Sequence, residues 1–129
     1  MRKAILMMLL AVMSNSAMAK WIEVGSKQDE VSTFVDPATI SRAGNMVKLW
    51  TLTDRKIPRT IAGVTHLSMK LQEEYDCKEK RSRGLAVSYH AKNMGQGKVV
   101  YSDSVINEWE PVGHGSAGEI LWKFACEKK

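Results

Sequence analysis

The sequence is poor in the residues that build reaction centres. Among its 129 residues are two cysteines and three histidines, and no spacing among them marks a metal or redox centre. There is no C-x-x-C, which argues against a thioredoxin-type dithiol. There is no H-x-x-x-H or H-E-x-x-H, and His66, His90 and His114 fall on different expected elements, so the three or four ligands of a zinc site are not in view. No G-x-S-x-G elbow is present to activate a serine. Met94-Gly95-Gln96-Gly97 carries two glycines but follows no strand-then-helix pattern, so it reads as a turn needing positive φ and not as a phosphate loop. Haem ligation by His or Tyr has no local signature. The sequence therefore assigns no catalytic residue, no metal and no cofactor, and a non-enzymatic protein is expected.

Long hydrophobic runs are also missing. The longest, Ala4 to Met13, has ten residues and would span only about 15 Å as a helix, half of a hydrocarbon core. It follows a basic start, Met1-Arg2-Lys3, and leads through Ser14-Asn15-Ser16 to the small-residue pattern Ala17-Met18-Ala19. That is the layout of a secretory signal peptide, residues 1–19, with cleavage after Ala19. The mature chain, residues 20–129, then has 110 residues, the size of one domain. Five of the eight methionines leave with the signal, so the methionine content is no ligand surface. Loss of Arg2 and Lys3 leaves 17 basic against 14 acidic residues, a mild net charge of +3 that by itself does not point to nucleic acid.

In an exported chain a lone cysteine pair most simply forms a disulfide, and Cys77 with Cys126 is that pair. Closing so long a loop removes roughly 4 kcal/mol of unfolded-state entropy. That is a large share of the about 5–15 kcal/mol that holds a small domain together.

The pattern after the signal has mostly period two. Strands are expected at Trp21 to Val24, Val31 to Val35, Met46 to Thr53, Val64 to Cys77, Leu85 to Tyr89 and Lys98 to Ile106. Pro58 makes Asp54 to Gly63 a loop in this reading. In Val64 to Cys77 the alternation assigns Thr65, Leu67, Met69, Leu71, Tyr75 and Cys77 to a core face, and His66, Ser68, Lys70, Gln72, Glu74 and Asp76 to a wet one. At the end the period changes. Ser116-Ala117-Gly118-Glu119 matches a capping box, and Ile120/Phe124 and Leu121/Ala125 stand at i,i+4 spacing, which predicts a helix over Ser116 to Glu127. Lys128 and Lys129 suit the negative end of its dipole. The expected fold is α+β: about six antiparallel strands with one C-terminal helix packed on a face and tethered by the disulfide.

Lys78, Lys80, Arg81 and Arg83 put four cations into six residues beside Cys77. This window is either a solvated turn with protective charge at strand ends, or an electrostatic patch for sulfated glycans, acidic protein segments or anionic headgroups. It has no interleaved aromatics, so nucleic acid is not an expected partner. Trp21, Trp50, Trp109 and Trp122 are core residues or, if exposed, mark a binding face.

Several stretches, taken in order, resemble the surface-adhesin protein E family of Gram-negative bacteria. They are Trp21-Ile22-Glu23-Val24, Phe34-Val35-Asp36-Pro37-Ala38-Thr39-Ile40, Val47-Lys48-Leu49-Trp50 and Tyr75-Asp76-Cys77. Met94-Gly95-Gln96-Gly97, Trp109-Glu110-Pro111-Val112, Gly115-Ser116 and Cys126 continue the series. The resemblance implies the same sheet and tethered helix, a tendency to homodimerise, and binding of host extracellular-matrix or plasma proteins. A lipid-anchored member needs a cysteine at the first mature residue. Lys20 stands there and residues 1–19 hold no cysteine, so a soluble periplasmic protein is expected, with cell-surface or secreted forms as alternatives. A small-ligand carrier, for haem for example, or an enzyme is the competing reading; it requires a deep pocket with converging polar groups.

Overall fold

The computed structural model describes residues 20–27 and 30–127; the expected signal peptide and the terminal lysines lie outside the described residues. The strands are β1 (Ile22–Lys27), β2 (Val31–Val35), β3 (Ser41–Ala43), β4 (Met46–Ile61), β5 (Val64–Asp76), β6 (Arg81–His90), β7 (Val99–Asp103) and β8 (Glu110–Pro111), followed by one helix, α1 (Ala117–Glu127). The main sheet runs β1-β2-β4-β5-β6-β7, every pair antiparallel. Chain neighbours become sheet neighbours through short turns, the simplest antiparallel solution. The expected six strands are these six. Two short ones are added, β3 on the start of β4 and β8 on the start of β6.

The expected loop at Asp54 to Gly63 is instead the outer half of β4. Pro58 is tolerated because the ladder slips between Asp54 and Arg59. Inside such a bulge a residue without an N–H leaves no partner unsatisfied. The last expected strand ends early, at Asp103.

The expected wet face of β5 is corrected at four of its six residues, Lys70 and Gln72 being half-buried. His66, Ser68, Glu74 and Asp76 are all buried. Glu74 and Asp76 lie under arginines of β6. Ser68 lies under the 3₁₀ turn Asn93–Gly95: its Oγ donates to the Lys92 carbonyl (2.6 Å) and accepts from the Gly95 N–H (2.8 Å). Alternation in the sequence cannot distinguish water from a polar cover supplied by another segment.

One core lies between the sheet and α1, where Val35, Val47, Leu49 and Tyr75 meet Leu121 and Ala125. The helix starts at the expected capping box: Ser116 Oγ accepts from the Glu119 N–H (3.2 Å), and Glu119 Oε1 accepts from the Gly115 N–H (3.1 Å). At the other end Arg42, from β3, donates to the Ala125 and Cys126 carbonyls (3.1 and 3.4 Å), answering two of the unpaired acceptors there. The Cys77–Cys126 disulfide is formed, with Cα atoms 5.6 Å apart, and fastens the helix to the end of β5.

Candidate binding surfaces

The basic window is built around Asp76. After β5 the chain turns through Cys77 to Lys80, and Asp76 Oδ1 accepts the Lys78 and Glu79 N–H groups at 3.1 Å each. Its Oδ2 accepts from Arg81 Nε at 2.9 Å. Led by the Glu79 amide, these donors hold the Asp76 carboxyl below the usual carboxylate range. The tight turn sets Asp76 opposite Arg81 and Glu74 opposite Arg83 across the β5–β6 ladder. Arg83 reaches Glu74 Oε1 at 2.7 Å. Lys80, at φ +51°, sends Nζ to Glu119 Oε2 on the helix, 2.6 Å away. Lys80 and then the Gly115 amide bring the Glu119 carboxyl down to about 2.

Trp109 contacts both arginines, with the guanidinium carbons of Arg81 and Arg83 4.6 and 4.3 Å from its ring centre. These two cation–π contacts hold the segment before β8 onto the sheet. Trp122 Nε1 donates to the Asp76 carbonyl (3.0 Å), and Lys80 Nζ lies 5.4 Å from its ring. All four tryptophans are half-buried, and Trp122 packs against the core between sheet and helix, as sheet–helix packing requires. Of the four cations read from the sequence, Lys80, Arg81 and Arg83 are thus joined to carboxylates, and Lys78 is exposed.

The histidines do not converge on a metal. His114 is exposed, its Nδ1 3.5 Å from Glu119 Oε2. His66 stacks on Tyr89 (ring centres 4.4 Å apart), and His90 Nε2 pairs with Ser88 Oγ at 2.8 Å. Both are buried, each with an Nδ1 that has no partner. Burial, then Arg55 and Arg59, lowers the proton affinity of His66; burial, then Lys70, lowers that of His90. Among the described residues no group of three or more His, Cys, Asp or Glu side chains is placed to hold a metal ion.

A groove of about 440 Å³ runs between the β1–β2 edge and the start of α1, lined by Val24, Gly25, Val31, Thr33, Ser116 and Ile120 among others, and among the described residues its lining has no titratable side chain. A second group of cations is less visible in the sequence: Arg55, Lys56 and Arg59 lie on the outer half of β4, Lys70 on β5, and Lys92 and Lys98 flank the turn before β7. Arg55-Lys56-Ile57-Pro58-Arg59, three cations in five residues, was the signal available for it.

The model of one family, surface-adhesin protein E, matches residues 21–127. The chain belongs to the surface-adhesin protein E family. Solved relatives share the fold at low identity. Protein E of Haemophilus influenzae, in its selenomethionine form, superposes with a TM-score of 0.64 at 9% identity, covering 87% of this chain and 89% of that one. Crystal form II of the same protein gives 0.61 at 8% identity, covering 86% and 97%. No curated protein sequence matches the chain. At such identity the structures carry the architecture alone, while the family match spans the disulfide, the basic turn and the capped helix.

Proposed function

We propose that this protein is a non-enzymatic binding module of the cell envelope that takes host extracellular-matrix or plasma proteins. The family match over residues 21–127 is the observation that carries the reading. The groove beside α1 is compatible with it, since its described lining is mostly apolar, as a protein-binding surface would be. Export by residues 1–19 to the periplasm, with release or surface display beyond it, belongs to the same proposal, as does homodimerisation.

Within this reading Lys78, Lys80, Arg81 and Arg83 are contact candidates for sulfated glycans or acidic protein segments. Lys78 presents its charge to solvent, while the other three share theirs with Glu119, Asp76 and Glu74.

The test is binding of the purified protein to a panel of immobilised matrix and plasma proteins and to heparin. Saturable binding to at least one protein of the panel is expected. Absence of saturable binding to all of them overturns the reading, and turnover of an ester, peptide, glycan or phosphate substrate overturns its non-enzymatic part.

A further inference from the structure

The second group of cations is arranged around a protrusion. Between paired positions β4 takes five steps, Asp54 to Arg59, while β5 takes two, Ser68 to His66. The surplus forces residues 55–58 out of the ladder. Arg55 Nε reaches back to the Ile57 carbonyl (3.4 Å), and the Lys56 N–H donates to the Glu30 carbonyl (2.9 Å). Ile57 is left 57% exposed between Lys56 and Arg59, and Ile61 is 37% exposed further along the same arm.

The 3₁₀ turn Asn93–Gly95 docks beside this bulge. Asn93 Nδ2 donates to the Arg55 carbonyl (2.7 Å), and Asp54 Oδ1 accepts from both Asn93 Nδ2 (3.1 Å) and the Met94 N–H (2.7 Å). On either side of that turn Lys92 and Lys98 are exposed. Asp54, the nearest acid in the sequence, is occupied by those two donors. Among the described residues, none of Arg55, Lys56, Arg59, Lys70, Lys92 and Lys98 forms an ion pair. At the other window Lys80, Arg81 and Arg83 are paired with carboxylates, whereas here six unpaired cations outnumber the neighbouring acids Asp54 and Glu30, so net positive charge collects around the arm.

We propose that this arm is a membrane-surface contact that docks on anionic lipid headgroups, with Ile57 at the acyl boundary and Arg55, Lys56 and Arg59 on the phosphates. Two needs coincide at one place: unpaired cations require anions, and an exposed isoleucine ringed by them requires an apolar layer just beyond those anions. A bilayer interface offers both in that order. An acidic protein segment or a glycan would satisfy the cations and leave Ile57 in water. This goes beyond the protein-binding reading and is tested separately from it.

The experiment is flotation of the purified protein with vesicles of phosphatidylcholine alone and of phosphatidylcholine with phosphatidylglycerol. Binding to the second only is expected, falling as salt shortens the Debye length below about 8 Å. The variant R55Q/K56Q/R59Q is expected to bind at least about tenfold more weakly. Ile57→Ser weakens binding too, and Lys123→Gln, the loss of a single charge on exposed helix surface, leaves it unchanged. Thermal melts establish that each variant is folded. Failure of the folded parent to bind anionic vesicles overturns the proposal, as does undiminished binding by the folded triple variant. Full competition by soluble heparin, with Ile57→Ser binding like the parent, also overturns it and assigns the arm to soluble polyanions.

Discussion

Lys80 Nζ lies 2.6 Å from Glu119 Oε2, so the turn after β5 is tied to the first turn of α1. Cys77, three residues earlier in that turn, is bonded to Cys126 in the last turn of the helix. Between them Trp122 donates to the Asp76 carbonyl. Glu119, Trp122 and Cys126 follow one another at three- and four-residue spacing, one stripe of a helix. A single short segment, Asp76 to Lys80, therefore anchors α1 along its whole length.

Replacing Lys78, Lys80, Arg81 and Arg83 together with Gln is accordingly expected to lower stability. A set of solvated charges would have changed it little. Arg83→Gln alone leaves the buried Glu74 without its partner and removes one of the two cation–π contacts to Trp109, at a cost of about 1–2 kcal/mol. Lys78→Gln should be nearly silent. Urea titration of the single variants measures both, and equal midpoints for Arg83→Gln and Lys78→Gln would contradict the pairing.

Cys126→Ser is expected to cost up to about 4 kcal/mol through the unfolded chain. Leu121 and Ala125 remain seated on Val47, Leu49 and Tyr75, so the sheet should persist while the helix frays from its C-terminal end. Hydrogen exchange resolved by residue should show amides after Lys123 losing protection first, with β4 and β5 following only on global unfolding.

The two buried histidines make stability fall in mild acid. Each takes a proton less readily when folded than the ordinary value of about 6.5, because burial disfavours the imidazolium and nearby cations, Arg55 and Arg59 for His66 and Lys70 for His90, repel it. The unfolded chain then binds protons first as pH drops. Stability is complete above the unfolded value and declines as pH passes down through it toward the lower folded values. Denaturation midpoints at about pH 7.5 and about pH 5.5 should differ in that sense, and H66Q/H90Q should reduce the difference. A midpoint that rises on acidification would count against it.

Glu73 acts in the opposite sense. Burial raises its carboxyl, only partly offset by the Tyr75 hydroxyl donating to Oε1 at 3.0 Å, so keeping it ionised at neutral pH costs stability. Glu73→Gln removes the charge and keeps an acceptor for Tyr75. We expect a gain on the order of 1 kcal/mol at pH 7 that vanishes in acid, where Glu73 is itself protonated. Thermal melts at the two pH values test it, and an acid-only gain would reverse the argument.

How much could be read in advance depended on whether a signal was local. The capping box at Ser116 and Glu119 was legible because both members act on amides within one turn. The disulfide was legible because only one pairing exists. The polar residues of β5 misled because their cover comes from elsewhere, Arg83 and Arg81 from β6 and the Lys92–Gly95 backbone from beyond it. A four-residue turn at Cys77 to Lys80 would have placed Glu74 and Asp76 opposite those arginines, and that register was the one hint available.

The sequence by itself determined the strand-rich domain, its terminal helix and the cysteine bridge, since these follow from periodicity, capping and a count of thiols. Only the tertiary structure decided where the positive charge is free to act. Pairing of β5 with β6 and packing of α1 set acids against the dense window at Lys78 to Arg83, while the bulge in β4 and the turn before β7 collected scattered cations that form no ion pair among the described residues. Charge is additive along a chain, but its field depends on which side chains the fold brings within a Debye length of one another.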